Sequence, residues 1–203
     1  GSVPMAMDLR TMDLAVGSVE TAMLNTCCVA LAHRCRLPIY ASAGLTDAKL
    51  PDIQAGFEKG VSNLLLGRAG ADFVHLAAGM LDSGNSISYE QYVIDDEIIG
   101  MVERLLRGVT ISTETLAFEC IERVGPGGNY VTEEHTVEHM FSEFFYPKLA
   151  VREQYDRWVG RGAPTPLIRA QSVVDEILDE HAHRLDPAEV KGLRSRFARI
   201  VDV

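Results

Sequence analysis

Strand-like apolar runs alternate with amphipathic helical runs only as far as residue 112, and beyond that point the pattern is helical throughout. This break constrains the fold more than any other feature. Alternating strands and helices build βαβ units around a parallel sheet. Residues 39–42 and 71–76 read as strands, with weaker candidates at 4–9 and 109–112. Helices are expected over about 18–36, 53–67 and 88–108. Their apolar stripes are Leu24, Cys27, Cys28, Leu31 and Cys35 on the first, and Ile53, Phe57, Val61, Leu64 and Leu65 on the second. The third carries Ile94, Ile98, Met101, Val102 and Leu105. Three or four strands are too few for a closed (β/α)8 barrel, which needs eight strands. Residues 3–112 are therefore either a small open α/β layer or part of a larger barrel. Residues 113–203 form a helical region packed on it, in one structural unit. Helices are expected there over 113–124, from 132 to Tyr146-Pro147, over 152–159, from Thr165-Pro166, and from Asp186-Pro187 through Val190, Leu193, Phe197 and Ile200.

Charge excludes one large class. The chain has 203 residues, with 19 basic against 29 acidic side chains and a net charge of −10. Nucleic-acid binding without sequence preference needs the opposite field. No apolar run reaches the ~18–20 residues of a membrane span, and no charged-then-apolar leader is seen, so no nucleic-acid or membrane partner and a cytoplasmic location are expected. The four cysteines, Cys27, Cys28, Cys35 and Cys120, contain no CxxC pair and read as small apolar core fillers.

Sites on parallel α/β sheets gather at the carboxyl ends of the strands. The two long loops after strands, residues 43–50 and 77–87, are where chemistry is sought. Asp47 and Lys49 lie in the first, with a loop-fixing surface salt bridge as the bland alternative. Gln54 and Glu58 share a helix face at i, i+4. His75 ends a strand, as a satisfied core residue or as a group pointing into a barrel mouth. The run Asp95-Asp96-Glu97 reads as a solvated helix face. Gly125-Pro126-Gly127-Gly128 lacks the lysine of a phosphate loop and reads as a helix stop. His135-Thr136-Val137-Glu138-His139 fits the HxxEH pattern, in which two histidines one turn apart reach one zinc ion.

Several long segments resemble one family in order along the chain. They are Ala43-Gly44-Leu45-Thr46-Asp47-Ala48-Lys49-Leu50-Pro51-Asp52-Ile53-Gln54-Ala55-Gly56-Phe57-Glu58-Lys59, His75-Leu76-Ala77-Ala78-Gly79-Met80-Leu81 and Ser88-Tyr89-Glu90-Gln91-Tyr92-Val93-Ile94-Asp95-Asp96-Glu97-Ile98. Val124-Gly125-Pro126-Gly127-Gly128-Asn129-Tyr130 and His135-Thr136-Val137-Glu138-His139-Met140 continue the match. They are similar to the trimethylamine methyltransferase family, whose members move a methyl group from a methylated amine to a corrinoid protein.

The resemblance implies an α/β fold: the carboxyl-terminal part of a (β/α)8 TIM-type barrel, followed by an all-helical portion. It implies a methyltransferase component that acts on a small methylated amine and hands the methyl group to a Co(I) corrinoid carried by a partner protein. No cofactor or metal is then held by this chain. Some members carry pyrrolysine at the position that falls on Leu45. Leucine offers no electrophile, so the resemblance points to members that act on quaternary amines such as glycine betaine. The implied catalytic residues are Asp47, Lys49, Glu58 and His75. Leu45, Gln54, Tyr89, Glu90 and Tyr92 are the implied substrate contacts, with Phe57 a further ring. Gly127, Gly128 and His135 would face the corrinoid. A truncated, non-catalytic assembly or regulatory subunit is the alternative, and an HxxEH zinc peptidase the remote one. Unpaired strand edges make a homo-oligomer the expected state.

Overall fold

The computed structural model describes residues 3–180 and 186–197. It opens with an antiparallel hairpin, β1 (Ala6–Asp8) and β2 (Asp13–Ala15). Only the first half of that hairpin lies in the expected strand at 4–9. Helix α1 (Val19–Arg34) follows, its first turn capped by the Ser18 hydroxyl, which accepts from Thr21 N. Strand β3 (Tyr40–Ser42), helix α2 (Ile53–Ala69) and strand β4 (Phe73–His75) make one βαβ unit with β3 and β4 parallel. Asp52 caps α2, and Gly70, in the left-handed region, stops it.

Residues 77–87 are not an open loop. They contain a second hairpin, β5 (Met80–Leu81) with β6 (Ser86–Ile87), around a single 3₁₀ turn at Asp82–Gly84. Helix α3 (Tyr89–Arg107) starts at the Ser88 cap, as the Ser88/Gln91 spacing predicts. Residues 109–112 form no strand. The single helix expected over 113–124 is two, α4 (Thr113–Leu116) and α5 (Phe118–Val124), parted at Ala117 with φ of 51°. Helices α6 (Glu134–Glu143), α7 (Tyr155–Gly160), α8 (Pro166–Glu180) and α9 (Pro187–Arg196) complete the described chain. Ile200, expected in the last helix, lies outside the described residues.

Helices α1, α2, α3 and α8 stand side by side, each touching the next, and α1 also packs on β3. The main core joins Val29 of α1 and Leu66 of α2 to Ile39, Ala41 and Ala43 around β3, with Val74 of β4 against it. Side chains alternate along a strand. Tyr40, Phe73 and His75 therefore share the other face, where the Tyr40 ring stacks on Phe73 at 5.5 Å and meets His75 at 4.8 Å. Phe73 is exposed there, Tyr40 and His75 are half-buried and Ser42 is buried, so among the described residues this side of the sheet is only partly covered.

The expected apolar stripes of α1 and α2 are corrected. Leu24, Cys27, Leu31 and Cys35 are exposed, and so are Ile53, at 86%, Phe57 and Val61. The buried faces are Thr21, Ala22, Asn25 and Val29 on α1, and Ala55, Lys59, Ser62, Asn63 and Leu66 on α2. Small and polar residues win because the interior they face is a hydrogen-bonding one. Asn25 Nδ2 donates to the carbonyls of Pro4 and Thr21, and its Oδ1 accepts from Ser42 N. The cysteines, none of them in a disulfide, are correspondingly not core fillers at Cys27 and Cys35; only Cys120 is buried. On α3 the reading holds better, since Ile98 and Val102 are buried.

The run Asp95-Asp96-Glu97 is corrected too. Asp96 alone is solvated; Asp95 is fully buried. Glu97 accepts the backbone amides of Lys148, Leu149 and Ala150 at 2.6, 2.6 and 2.8 Å, tying α3 to the chain entering α7. Glu97→Gln keeps the shape but turns one acceptor into a donor and removes the charge. Charge-assisted bonds of this kind are worth roughly 1.5–3 kcal/mol. Amides 148–150 are expected to exchange at least tenfold faster in the variant, read by hydrogen-exchange mass spectrometry; unchanged exchange refutes the cap.

Candidate functional site

A cavity of about 610 Å³ opens at the carboxyl ends of β3 and β4, a size usual for small-molecule sites. Three segments line it. The first hairpin gives Asp8, Thr11, Asp13, Leu14 and Ala15; the loop after β3 gives Asp47 and Lys49; the turn between β5 and β6 gives Asp82, Ser83 and Asn85.

The two loops are laced together. Asp82 N donates to Ala48 O at 2.8 Å and Ser83 N to Thr46 O at 2.9 Å. These bonds hold Asp82 and Ser83 with φ of 52° and 56°, a region costly to residues other than glycine and kept where the surroundings enforce it. The Asp47 carboxylate is the knot between all three segments. It accepts from Val16 N at 3.2 Å, Gly17 N at 3.1 Å and the Ser83 hydroxyl at 2.7 Å.

Behind Asp47 stands Glu58. One carboxylate oxygen accepts from the Thr46 hydroxyl at 2.5 Å and from Asp47 N at 2.9 Å, and the other from Gln54 Nε2 at 2.9 Å. A Cβ on Gly17 would lie 2.2 Å from Glu58 Oε2, so only glycine lets the turn before α1 approach this carboxylate. The partners of Glu58 are all donors. Glu58→Ala leaves the Thr46 hydroxyl and Asp47 N without their acceptor and is expected to lower stability by about 1–3 kcal/mol, seen as a lower urea midpoint at unchanged slope. An unchanged midpoint rules out the arrangement.

Charge in the cavity is unevenly compensated. Asp8 is ion-paired to Arg10 at 2.6 Å, which holds its carboxyl down at about 2 through side-chain and backbone hydrogen bonds from Arg10. Lys49 pairs with Asp82 at 2.5 Å and donates to Asp47 O; the bond to Asp82 raises the Lys49 pKa. Asp13 and Asp47 form no ion pair within 4 Å among the described residues, although Lys49 feels the charge of both. The cavity is therefore net negative.

Of the residues singled out from the sequence, Asp47, Lys49, Glu58 and Gln54 are brought together here. His75 sits on the partly covered sheet face beside Tyr40. Leu45 is 3% exposed. Tyr89 is exposed, the ring of Tyr92 lies against Gly79, and Glu90 accepts from the Ser88 hydroxyl at 2.6 Å, which lowers its pKa. Gly127 and Gly128 occupy the turn after α5, and Gly128 is pressed on Val124. The His135 and His139 rings stack at 4.2 Å. His135 Nε2 faces the Glu114 carbonyl and His139 Nδ1 the His135 carbonyl. Among the described residues no group of three or more His, Cys, Asp or Glu is set to hold a metal ion, so the HxxEH zinc reading finds no third ligand there.

The sequence model of the trimethylamine methyltransferase (MTTB) family matches residues 1–200. The chain belongs to this family. It is 37% identical to glycine betaine methyltransferase of Desulfitobacterium hafniense strain Y51, over 78% of this chain and 33% of that protein. It is 34% identical to trimethylamine methyltransferase MttB of Desulfitobacterium hafniense strain DSM 10664 / DCB-2, over 96% of this chain and 39% of that protein. It is 37% identical to trimethylamine methyltransferase MttB2 of Methanosarcina mazei, over 100% of this chain and 40% of that protein. The chain thus spans between a third and two fifths of the length of these relatives.

Site residues to which the sequence reading gives no role are Asp13, Thr46, Ser83 and, deeper, Lys59 and Gln91, with Asp95 read as solvated. The position of Lys59 on α2 carries a signal. It falls on the face of α2 shared by Ala55, Ser62 and Leu66, where small neighbours leave room for a buried long side chain.

Proposed function

We propose that this chain carries the amine-side portion of a methyltransferase that moves a methyl group from a quaternary amine to the Co(I) corrinoid of a partner protein. The observation that carries this is the net-negative cavity at the carboxyl ends of two parallel strands, in a chain of this family. A quaternary ammonium keeps its positive charge at every pH and donates no hydrogen bond. Asp13 and Asp47, carboxylates outside any close ion pair, suit such a group, whereas hydrogen-bond donors do not. The residues here bind and orient the donor; proximity of this kind contributes several kcal/mol to a bimolecular transfer. The corrinoid, when its protein docks, supplies the nucleophile that accepts the methyl group. The glycine turn at Gly127-Gly128 and the His135 ring are the residues of this chain proposed to face it.

In this reading β3 and β4 are neighbouring strands of a (β/α)8 barrel. Their parallel pairing through α2, the helix layer on one side and the partly covered Tyr40–Phe73–His75 face on the other support it. His75 then projects to the barrel interior. A cytoplasmic setting suits four cysteines that form no disulfide, and no helix among the described residues is long and apolar enough to cross a membrane.

Calorimetry with tetramethylammonium, glycine betaine and a neutral analogue bearing a tert-butyl group tests the proposal, together with methyl transfer to cob(I)alamin. Tetramethylammonium and the zwitterion glycine betaine, which share a quaternary nitrogen, are expected to bind and the neutral analogue not, with Asp13→Asn weakening tetramethylammonium several-fold. Equal affinity for the neutral analogue overturns the reading.

A further inference from the structure

Outside the cavity lies an ion pair that nothing above uses. Lys59 of α2 and Asp95 of α3 meet at 2.9 Å, both side chains 0% exposed. Each reaches a different loop. Lys59 Nζ donates to Gly44 O at 2.6 Å, in the loop after β3. Asp95 Oδ2 accepts from Gly79 N at 2.7 Å, in the segment after β4, and Oδ1 accepts from Gln91 Nε2 at 2.7 Å. Gly44 is clasped on both sides by α2, since its N–H donates to the Ser62 hydroxyl at 3.0 Å. The two loops also touch directly: a Cβ on Gly44, where φ is 71°, would lie 2.3 Å from Ala77 O.

Stability does not account for such a pair. A buried ion pair is about as stabilising as well-packed apolar residues of the same volume, and sometimes less so. What it adds is directional: four hydrogen bonds that aim two backbone segments. Gly44 lies three residues before Asp47, and Gly79 three before Asp82. The lacing between the loops, Asp82 N to Ala48 O and Ser83 N to Thr46 O, begins where the pair leaves off.

We infer that Lys59 and Asp95 form a positioning latch that sets the register of the two cavity loops, and with it the placement of Asp47, Lys49 and Asp82. The inference rests on the proposed function for what the cavity binds, but not for the latch itself.

The test uses two variants of the chain. Lys59→Met with Asp95→Leu replaces the pair by apolar volume. Lys59→Met with Asp95→Asn keeps an acceptor for Gly79 N but drops the tie to Gly44 O. In the first, the amides of Gly79, Asp82 and Ser83 are expected to exchange at least tenfold faster, while those of Leu66 and Val102 in the helices keep their protection. In the second, Gly79 stays protected and Asp82 and Ser83 do not. Binding of tetramethylammonium weakens at least tenfold in both, at a helix melting temperature close to that of the parent. Unchanged exchange at Asp82 and Ser83 overturns the latch, and so does loss of helical signal in both variants, which would assign the pair to the whole fold. If the parent chain binds no tetramethylammonium, the functional proposal fails, while exchange still decides the latch.

Discussion

Lys59→Met alone is expected to destabilise the chain by about 3–5 kcal/mol, the cost of removing one partner from a buried ion pair. Asp95, 0% exposed, then has only Gly79 N and Gln91 Nε2 as donors. Most of that loss should return when Asp95→Leu is added, because the remaining charge goes with it. The single variant should also acquire a distinctive pH dependence. Burial pushes the Asp95 carboxyl up and the Lys59 ammonium down, each opposed by the other's charge. Without Lys59 the opposition to the upward push is weaker, and Asp95 takes a proton more readily when folded than when unfolded. A raised carboxyl contributes stability that is complete below its unfolded pKa and is lost as pH rises through its folded pKa. Lys59→Met is therefore expected to be more stable toward acid than the parent's own profile predicts, and to weaken as pH rises toward neutrality. Urea midpoints across pH 4–8 check this. A flat difference between variant and parent over that range would mean that Asp95 stays ionised without its lysine.

What could be read from the sequence follows the physics of each signal. Capping is legible: Asp186-Pro187 marks a helix start and Asp186 accepts from Ala188 N there, as Ser18 and Ser88 accept from Thr21 N and Gln91 N at the starts of α1 and α3. A cap is a local hydrogen bond, decided within four residues. The strands at β3 and β4 were legible because continuous apolar runs mark buried parallel strands. The helix faces of α1 and α2 were not. Apolar periodicity identifies a face that is buried in something, and Leu24, Leu31, Ile53, Phe57 and Val61 of these stripes are exposed. The interior faces carry Asn25, Lys59, Ser62 and Asn63, which periodicity scores as outward. Asp95 was misread for the same reason, since one carboxylate in a run of three looks solvated until its partner, thirty-six positions away in sequence, is placed beside it. The short hairpins and the left-handed Asp82 and Ser83 have no local propensity signal, because cross-loop bonds hold them. At the site, the family resemblance brought Asp47, Lys49, Gln54 and Glu58 to notice together, and the structure gives Glu58 a supporting position behind Asp47.

The chain on its own is expected to self-associate. It exposes 14,691 Å² of accessible surface, against roughly 9,400 Å² for a compact monomer of its 22.3 kDa. A standard stable interface buries about 1,600 Å² in all, so the excess is enough for a large one. Its composition favours association too. Ile53, Phe57 and Val61 make an exposed apolar stripe along α2, Val19, Met23, Leu24 and Leu31 do so on α1, and Phe73 lies on the partly covered sheet face. In proteins of the relatives' length, other residues have this surface to cover; for the chain alone, a second copy is the apolar surface at hand. Two-fold pairing is the commonest arrangement, and β3 and β4 offer strand edges that pair with no further strand among the described residues. The net charge of −10 opposes diffuse aggregation but not one specific contact. Sedimentation velocity at micromolar concentration should give a dimer or larger species, and the double variant Phe57→Glu with Val61→Lys should shift it toward monomer by placing charges in the α2 stripe. A monomer of the parent chain that binds no hydrophobic dye would mean that these apolar stripes are covered from within the chain, and the reading of β3 and β4 as part of a larger barrel would lose the exposed faces that support it.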